Sequence, residues 1–189
     1  MEATEKKTIE LAKNEMLEAQ KERDSLMRWK LILVSTIGAA ALGFSRESPL
    51  PNAEFALCLI PFTCVYVDIL CRNLSIRTKM ISQVLAQNLN DPLENFYQSY
   101  EESRGSSLES FALRTSTIVL SILIIPIGII SHFSDPSVLV ATWFSWASVP
   151  FYLSGSSGIA LSFIVERRYQ EQKKALAKLG VAADAKNGG

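Results

Sequence analysis

The chain has 189 residues, 48% hydrophobic and 20% charged, with 19 Lys and Arg balanced by 19 Asp and Glu. A formal net charge of zero excludes a strongly basic nucleic-acid binder and an acidic disordered tail protein. Mean hydropathy is nevertheless positive, at +0.17, so the charges must be segregated from long apolar runs, as in an integral membrane protein.

The first 30 residues are polar. Within them Ile9, Ala12, Met16, Ala19 and Leu26 recur at spacings of three and four, with Arg23 in the missing heptad place. This predicts a juxtamembrane helix with a short coiled-coil seam, supported by the pairs Glu18–Lys21 and Asp24–Arg28. A solvated helix without a partner is the competing reading.

Four uncharged or nearly uncharged runs follow. A charge at the bilayer centre costs about 2.5–3.5 kcal/mol on insertion scales, so charges mark where spans end. The runs cover residues 31–45, 55–71 with Asp68 inside, 115–134 and 136–165. A helix needs roughly 20 residues to cross the hydrocarbon core. The last two runs reach that length. The first two become spans if Met27 and Trp29 extend the first while Arg28 and Lys30 snorkel to the headgroups. The turn at residues 46–52 holds Pro49 and Pro51, with Asn52 as the expected N-cap of the second helix. The turn at residues 131–136 offers Asp135 as a cap and Pro136 at the first helical position.

Between the hairpins, the second span is expected to continue inward through Leu74, Ile81 and Leu85 and to stop near Asn88–Asn90. Asp91-Pro92-Leu93-Glu94 has capping-box spacing, which predicts a short helix to about Glu102 before Gly105. Ser106 and Glu109 repeat the device. Past the fourth span, Tyr169, Leu176 and Leu179 carry the helix on, and the chain is expected to fray from Gly180.

Lys and Arg number seven up to Lys30, five over residues 72–114 and six from Glu166 onward, whereas Arg46 alone lies in the two short turns. That asymmetry predicts both termini and the central loop in the cytoplasm. Trp29 and Tyr169 suit the inner interface, and Trp143 and Trp146 the outer one. No cleavable signal peptide is expected, because about 30 polar, acid-containing residues precede the first apolar run. The sequence therefore predicts an all-α integral membrane protein of four transmembrane helices arranged as two hairpins, in an inner or plasma membrane. Its parts are a juxtamembrane helix (1–30), hairpin 1 (31–72), a cytoplasmic helical loop (73–106), hairpin 2 (107–166) and a cytoplasmic tail (167–189).

Catalytic signals are absent. The one histidine, His132, falls at the end of a span without partners for catalysis or a metal. Gly155-Ser-Ser-Gly158 lies in an apolar run with no strand before it, and no zinc, nucleotide or nucleophile-elbow motif is present. No enzyme activity, cofactor or catalytic residue is expected. Cys58, Cys64 and Cys71 all lie on the second span. Cys64 and Cys71 share a face, yet about 10 Å of helix rise keeps them from bridging, so they read as small packing residues. Acylation of Cys71 and a thiol-redox role are the alternatives.

Asp68 is the one ionisable residue inside a run. It reads either as a pore or proton-path residue facing the bundle interior, or as the partner of Arg72 one turn on. Ser35, Ala39 and Gly43 on the first span, and Ser154, Gly158 and Ser162 on the fourth, form small-residue stripes that let helices approach closely within the bundle or between protomers. Pro61, Pro126 and Pro150 fall inside runs and mark candidate kinks.

The segments Asn14-Glu-Met-Leu-Glu and Arg28-Trp-Lys before the first span, and Tyr66-Val-Asp-Ile-Leu-Cys-Arg-Asn-Leu-Ser-Ile-Arg77 in and after the second, resemble uncharacterised small bacterial four-span membrane proteins. More loosely, they are similar to the SLATT superfamily, which joins an N-terminal helix, a short transmembrane hairpin and a long cytoplasmic helix. The resemblance covers roughly residues 10–100, and the second hairpin is an addition to it. It implies a membrane effector of bacterial conflict or stress responses that permeabilises the bilayer after a partner's signal. The expectation is accordingly a self-associating sensor or effector in contact with the lipid bilayer, other copies of itself and a cytoplasmic protein, with no nucleic-acid partner. The alternative is a non-catalytic scaffold or accessory subunit of a larger membrane complex.

Overall fold

A computed structural model describes residues 2–42, 53–89, 106–132 and 146–187. All regular structure among them is helical: α1 (Glu2–Ala41), a 3-10 turn (Ala53–Cys58), α2 (Leu59–Leu89), α3 (Ser106–His132), a second 3-10 turn (Trp146–Ser148) and α4 (Val149–Asn187). The expected caps and turns at residues 46–52, 91–105 and 135–136 lie outside the described residues, as do Gly43 and Trp143.

Among the described residues, three stretches are long and apolar enough to cross a membrane: Ala53–Gln83, Ser110–Ile130 and Val149–Ala177. The expected fourth, on the first run, is not among them. The uncharged part of α1 starts after Lys30 and α1 ends at Ala41, about half the roughly 20 residues that a span requires.

Helix boundaries follow local chemistry in most places. α2 ends at Leu89, within the polar Asn88–Asn90 stretch. α4 runs on to Asn187 instead of fraying at Gly180. Ala175, Ala177, Ala182, Ala183 and Ala185 have the best helix propensity and offset the single glycine, which costs about 1 kcal/mol.

The three candidate kink prolines occupy two kinds of position. Pro61 and Pro150 sit in the first turns of α2 and α4, where a 3-10 turn becomes α-helix. There a missing N–H removes no interior helical hydrogen bond. Of these three, Pro126 alone lies in the interior of its helix.

The chain divides into two interleaved units, and each long helix gives a stretch to both. The first, the apolar unit, comprises residues 27–68 and 112–165. Its core is Ala41, Leu57, Ile60, Cys64, Ile124, Ile129 and Phe151, with Val34, Ile37, Phe55 and Leu120 packed against it. Its polarity is inverted relative to a water-soluble domain. Thr117, Ser121 and Ser148 are wholly buried, while Ile32, Phe62, Ile122, Leu153 and Phe163 are exposed. Exposed apolar surface on this scale is what a bilayer covers.

The second, the polar unit, comprises residues 1–26, 69–111 and 166–189. Ala19 of α1, Cys71, Thr78, Ser82 and Leu85 of α2 and Tyr169 of α4 are buried in it. The heptad seam of α1 is thus partly covered within the chain, since Ala19 is buried and Ile9, Ala12 and Met16 are half-buried.

Candidate functional site: a buried charge pair

The apolar unit carries two full charges in its interior, Lys30 in the last third of α1 and Asp68 on α2, with relative exposures of 4% and 3%. Burying an isolated charge is prohibitive, so such groups must be paired and hydrogen-bonded. Here they are. The Lys30 ammonium donates to Asp68 Oδ1 at 2.7 Å, to Thr117 Oγ1 at 2.8 Å and to Ser116 Oγ at 3.1 Å. All three of its donors are engaged. The Thr117 hydroxyl accepts from Lys30 and donates to Asp68 Oδ2. Both carboxylate oxygens therefore have partners, and α1, α2 and α3 are tied at one point.

Lys30 corrects the expectation that it snorkels to the headgroups. α1 turns this face toward α2 and α3, placing the ammonium beside a carboxylate, whereas Trp29 and Leu31 on either side are exposed. A hydroxyl ladder leads on from the clasp. Ser121 Oγ donates to the Thr117 carbonyl at 2.7 Å, and Ser154 Oγ donates to the Cys58 carbonyl at 2.6 Å.

Asp68 and Arg72 do not pair along α2. Arg72 belongs to the polar unit, where its Nη2 donates to Glu166 Oε2 at 2.6 Å. Its guanidinium also covers the Tyr169 ring at 4.9 Å from the centroid. Tyr169, expected at the inner interface, is instead buried under that cation. Glu166 also accepts from Ser110 at 3.1 Å and from Gln170 at 2.6 Å. A second clasp thus joins α2, α3 and α4. An exposed ion pair, Arg77–Glu15, links α2 to α1 in the same unit.

The small-residue stripes behave differently from one another. On α4, Ser154 and Ser162 are buried. A Cβ at Gly158 would lie 2.5 Å from Pro61 Cβ and from Ser121 Oγ, so α4 approaches α2 and α3 as closely as backbone allows. On α1, Ser35 is exposed, Ala39 half-buried, and a Cβ at Gly38 would meet nothing within 4 Å. Cys58 is half-buried, Cys64 and Cys71 are buried, and none of the three is in a disulfide. His132 is the last residue of α3.

Lys30, Ser116, Thr117 and Glu166 were not among the sequence candidates for the charged site. A signal for the first existed: Lys30 and Asp68 are opposite charges at the edge of, and inside, neighbouring apolar runs, and each needs a partner.

These features define a class, a helical protein with three helices apolar enough to cross a membrane and a salt bridge sealed in its apolar part. The chain matches no family model, no curated protein and no solved structure.

Proposed function

We propose that this chain is an integral membrane sensor or effector of four spans, with both termini cytoplasmic, that self-associates and permeabilises the inner or plasma membrane when its buried clasp opens. The observation that carries the reading is the Lys30–Asp68–Thr117 centre. Intramembrane ionisable residues are costly, and their usual use is in ion pathways and switches. A closed clasp neutralises both charges; an opened one leaves two charges that draw water into the bundle. For the fourth span, the support is that Val34, Ile37 and Ala41 of α1 pack with the core formed by the other three helices. For orientation it is the Lys and Arg asymmetry, and for the effector role the resemblance to SLATT proteins.

The test is inducible expression in a bacterial host with a membrane-potential dye. Asp68→Asn and Lys30→Met each leave one buried partner unmatched and should depolarise cells, whereas the exchanged pair Lys30→Asp/Asp68→Lys should restore a tight membrane. Intact potential in both single variants, with the proteins verified in the membrane, would overturn the reading.

A scaffold role has one observation in its favour, the uncovered face of α1 around Ser35 and Gly38. Under that reading Gly38→Leu removes a co-purifying protein and leaves the membrane potential unchanged.

A further inference from the structure

One face of α3 carries Thr117, Ser121, Ile124 and Gly128 at spacings of three and four, all buried. Its two ends differ in kind. At Thr117 the face meets the charged clasp. At Gly128, about 16 Å further along at 1.5 Å per residue, the Phe151 ring packs against the helix, and a Cβ at 128 would collide with three of its ring carbons. Phe55 stacks on that ring, centroids 5.4 Å apart and 8° from parallel. Phe151 and Ile129 have no exposed surface. Between the two ends lie oxygen atoms: the Thr117 carbonyl with the Ser121 hydroxyl on it, and the Cys58 carbonyl with the Ser154 hydroxyl on it. Hydroxyls are hidden inside along that row while isoleucines and phenylalanines face outward.

We propose that this row is a narrow permeation path for protons and small inorganic ions carried with single-file water, and that Phe151, seated on Gly128 and backed by Phe55, is its hydrophobic gate. The assignment rests on the permeabilising role above and adds where the path runs and what it admits. Apolar constrictions block ions by excluding water from a short segment. The width follows from packing. A Cβ at Gly155 or Gly158 would collide with Ser121, Ile125 or Pro61, so α4 leaves no slack beside the row. Removing one phenyl ring frees room for about three waters at about 30 Å³ each. A file of waters fits there, and a dye-sized solute does not.

The full chain, reconstituted in neutral phospholipid vesicles, carries the test. One set encloses the pH dye pyranine under an imposed pH gradient, and a parallel set encloses calcein. Phe151→Ala should collapse the gradient at least tenfold faster than the wild-type chain while retaining calcein. Phe55→Ala should give a smaller acceleration, and Phe151→Leu, which keeps apolar bulk on Gly128, should stay tight. Helical content by circular dichroism verifies that each variant has folded. If Asp68→Asn leaks while Phe151→Ala and Phe55→Ala both hold the gradient, the gate assignment is overturned and the clasp reading stands. If Phe151→Ala leaks and Asp68→Asn does not, the gate stands and the clasp reading falls. Calcein loss from Phe151→Ala overturns the narrow path in favour of general disruption of the bundle.

Discussion

The two units solve the same problem with opposite tolerances. In the apolar unit, Lys30 and Asp68 have side-chain exposures of 6% and 5%, and the clasp satisfies every donor and both carboxylate oxygens. In the polar unit, Arg72 is equally buried at 6%, but Glu166 keeps 16% exposure and the guanidinium Nε and Nη1 have no hydrogen-bond partner. Tyr169 supplies part of the compensation through its ring face. Further out, Arg77 and Glu15 are 58% and 46% exposed. The comparison teaches that burial alone does not enforce full hydrogen bonding: the Lys30–Asp68 clasp meets every group, whereas Arg72 leaves two buried nitrogens without a hydrogen bond and rests on the Tyr169 ring face instead.

That contrast can be broken, the largest expected effect first. Asp68→Asn should cost the most, about 3–5 kcal/mol, since it strands a buried ammonium; thermal unfolding in detergent measures it, and a loss under about 1 kcal/mol would mean the centre is hydrated. Glu166→Gln should cost about 2 kcal/mol, because Arg72 loses its carboxylate yet keeps Tyr169. Gly158→Leu should cost about 1–3 kcal/mol by driving α4 away from Pro61 and Ser121. Its oligomeric size by light scattering should stay that of the wild type, whereas Gly38→Leu, on an uncovered face, should alter association and leave the melting temperature unchanged. Glu15→Gln should cost less than about 1 kcal/mol. Raising salt from 0.05 to about 0.5 M should erase that last difference and leave the Asp68 effect intact, since screening reaches exposed pairs and spares buried ones.

Much of the architecture is legible in one dimension. Helical periodicity and uncharged runs place α2, α3 and α4, and Asn88–Asn90 marks the end of α2, because these are properties of neighbours in sequence. Span counting is less secure at α1. Its apolar half is short and joined without a break to a charged half, so local hydropathy alone does not separate a buried helix from a crossing one. The prolines show the same limit. Pro61 and Pro150 look interior within apolar runs, yet the helix type changes beside them, and that change depends on how the preceding turn packs.

The sequence by itself determined that this is a helical chain whose charges and apolar runs are segregated, and that Asp68 is the residue needing an explanation. Only the tertiary structure decided that Lys30 is its partner, that Arg72 goes to Glu166, and that the stripe on α4 is filled from within the chain while on α1 Ser35 is exposed and Ala39 half-buried. Helix formation is governed by residues three and four apart. Pairing across 38 or 94 positions depends instead on how each helix is rotated about its axis, which no single run of residues encodes.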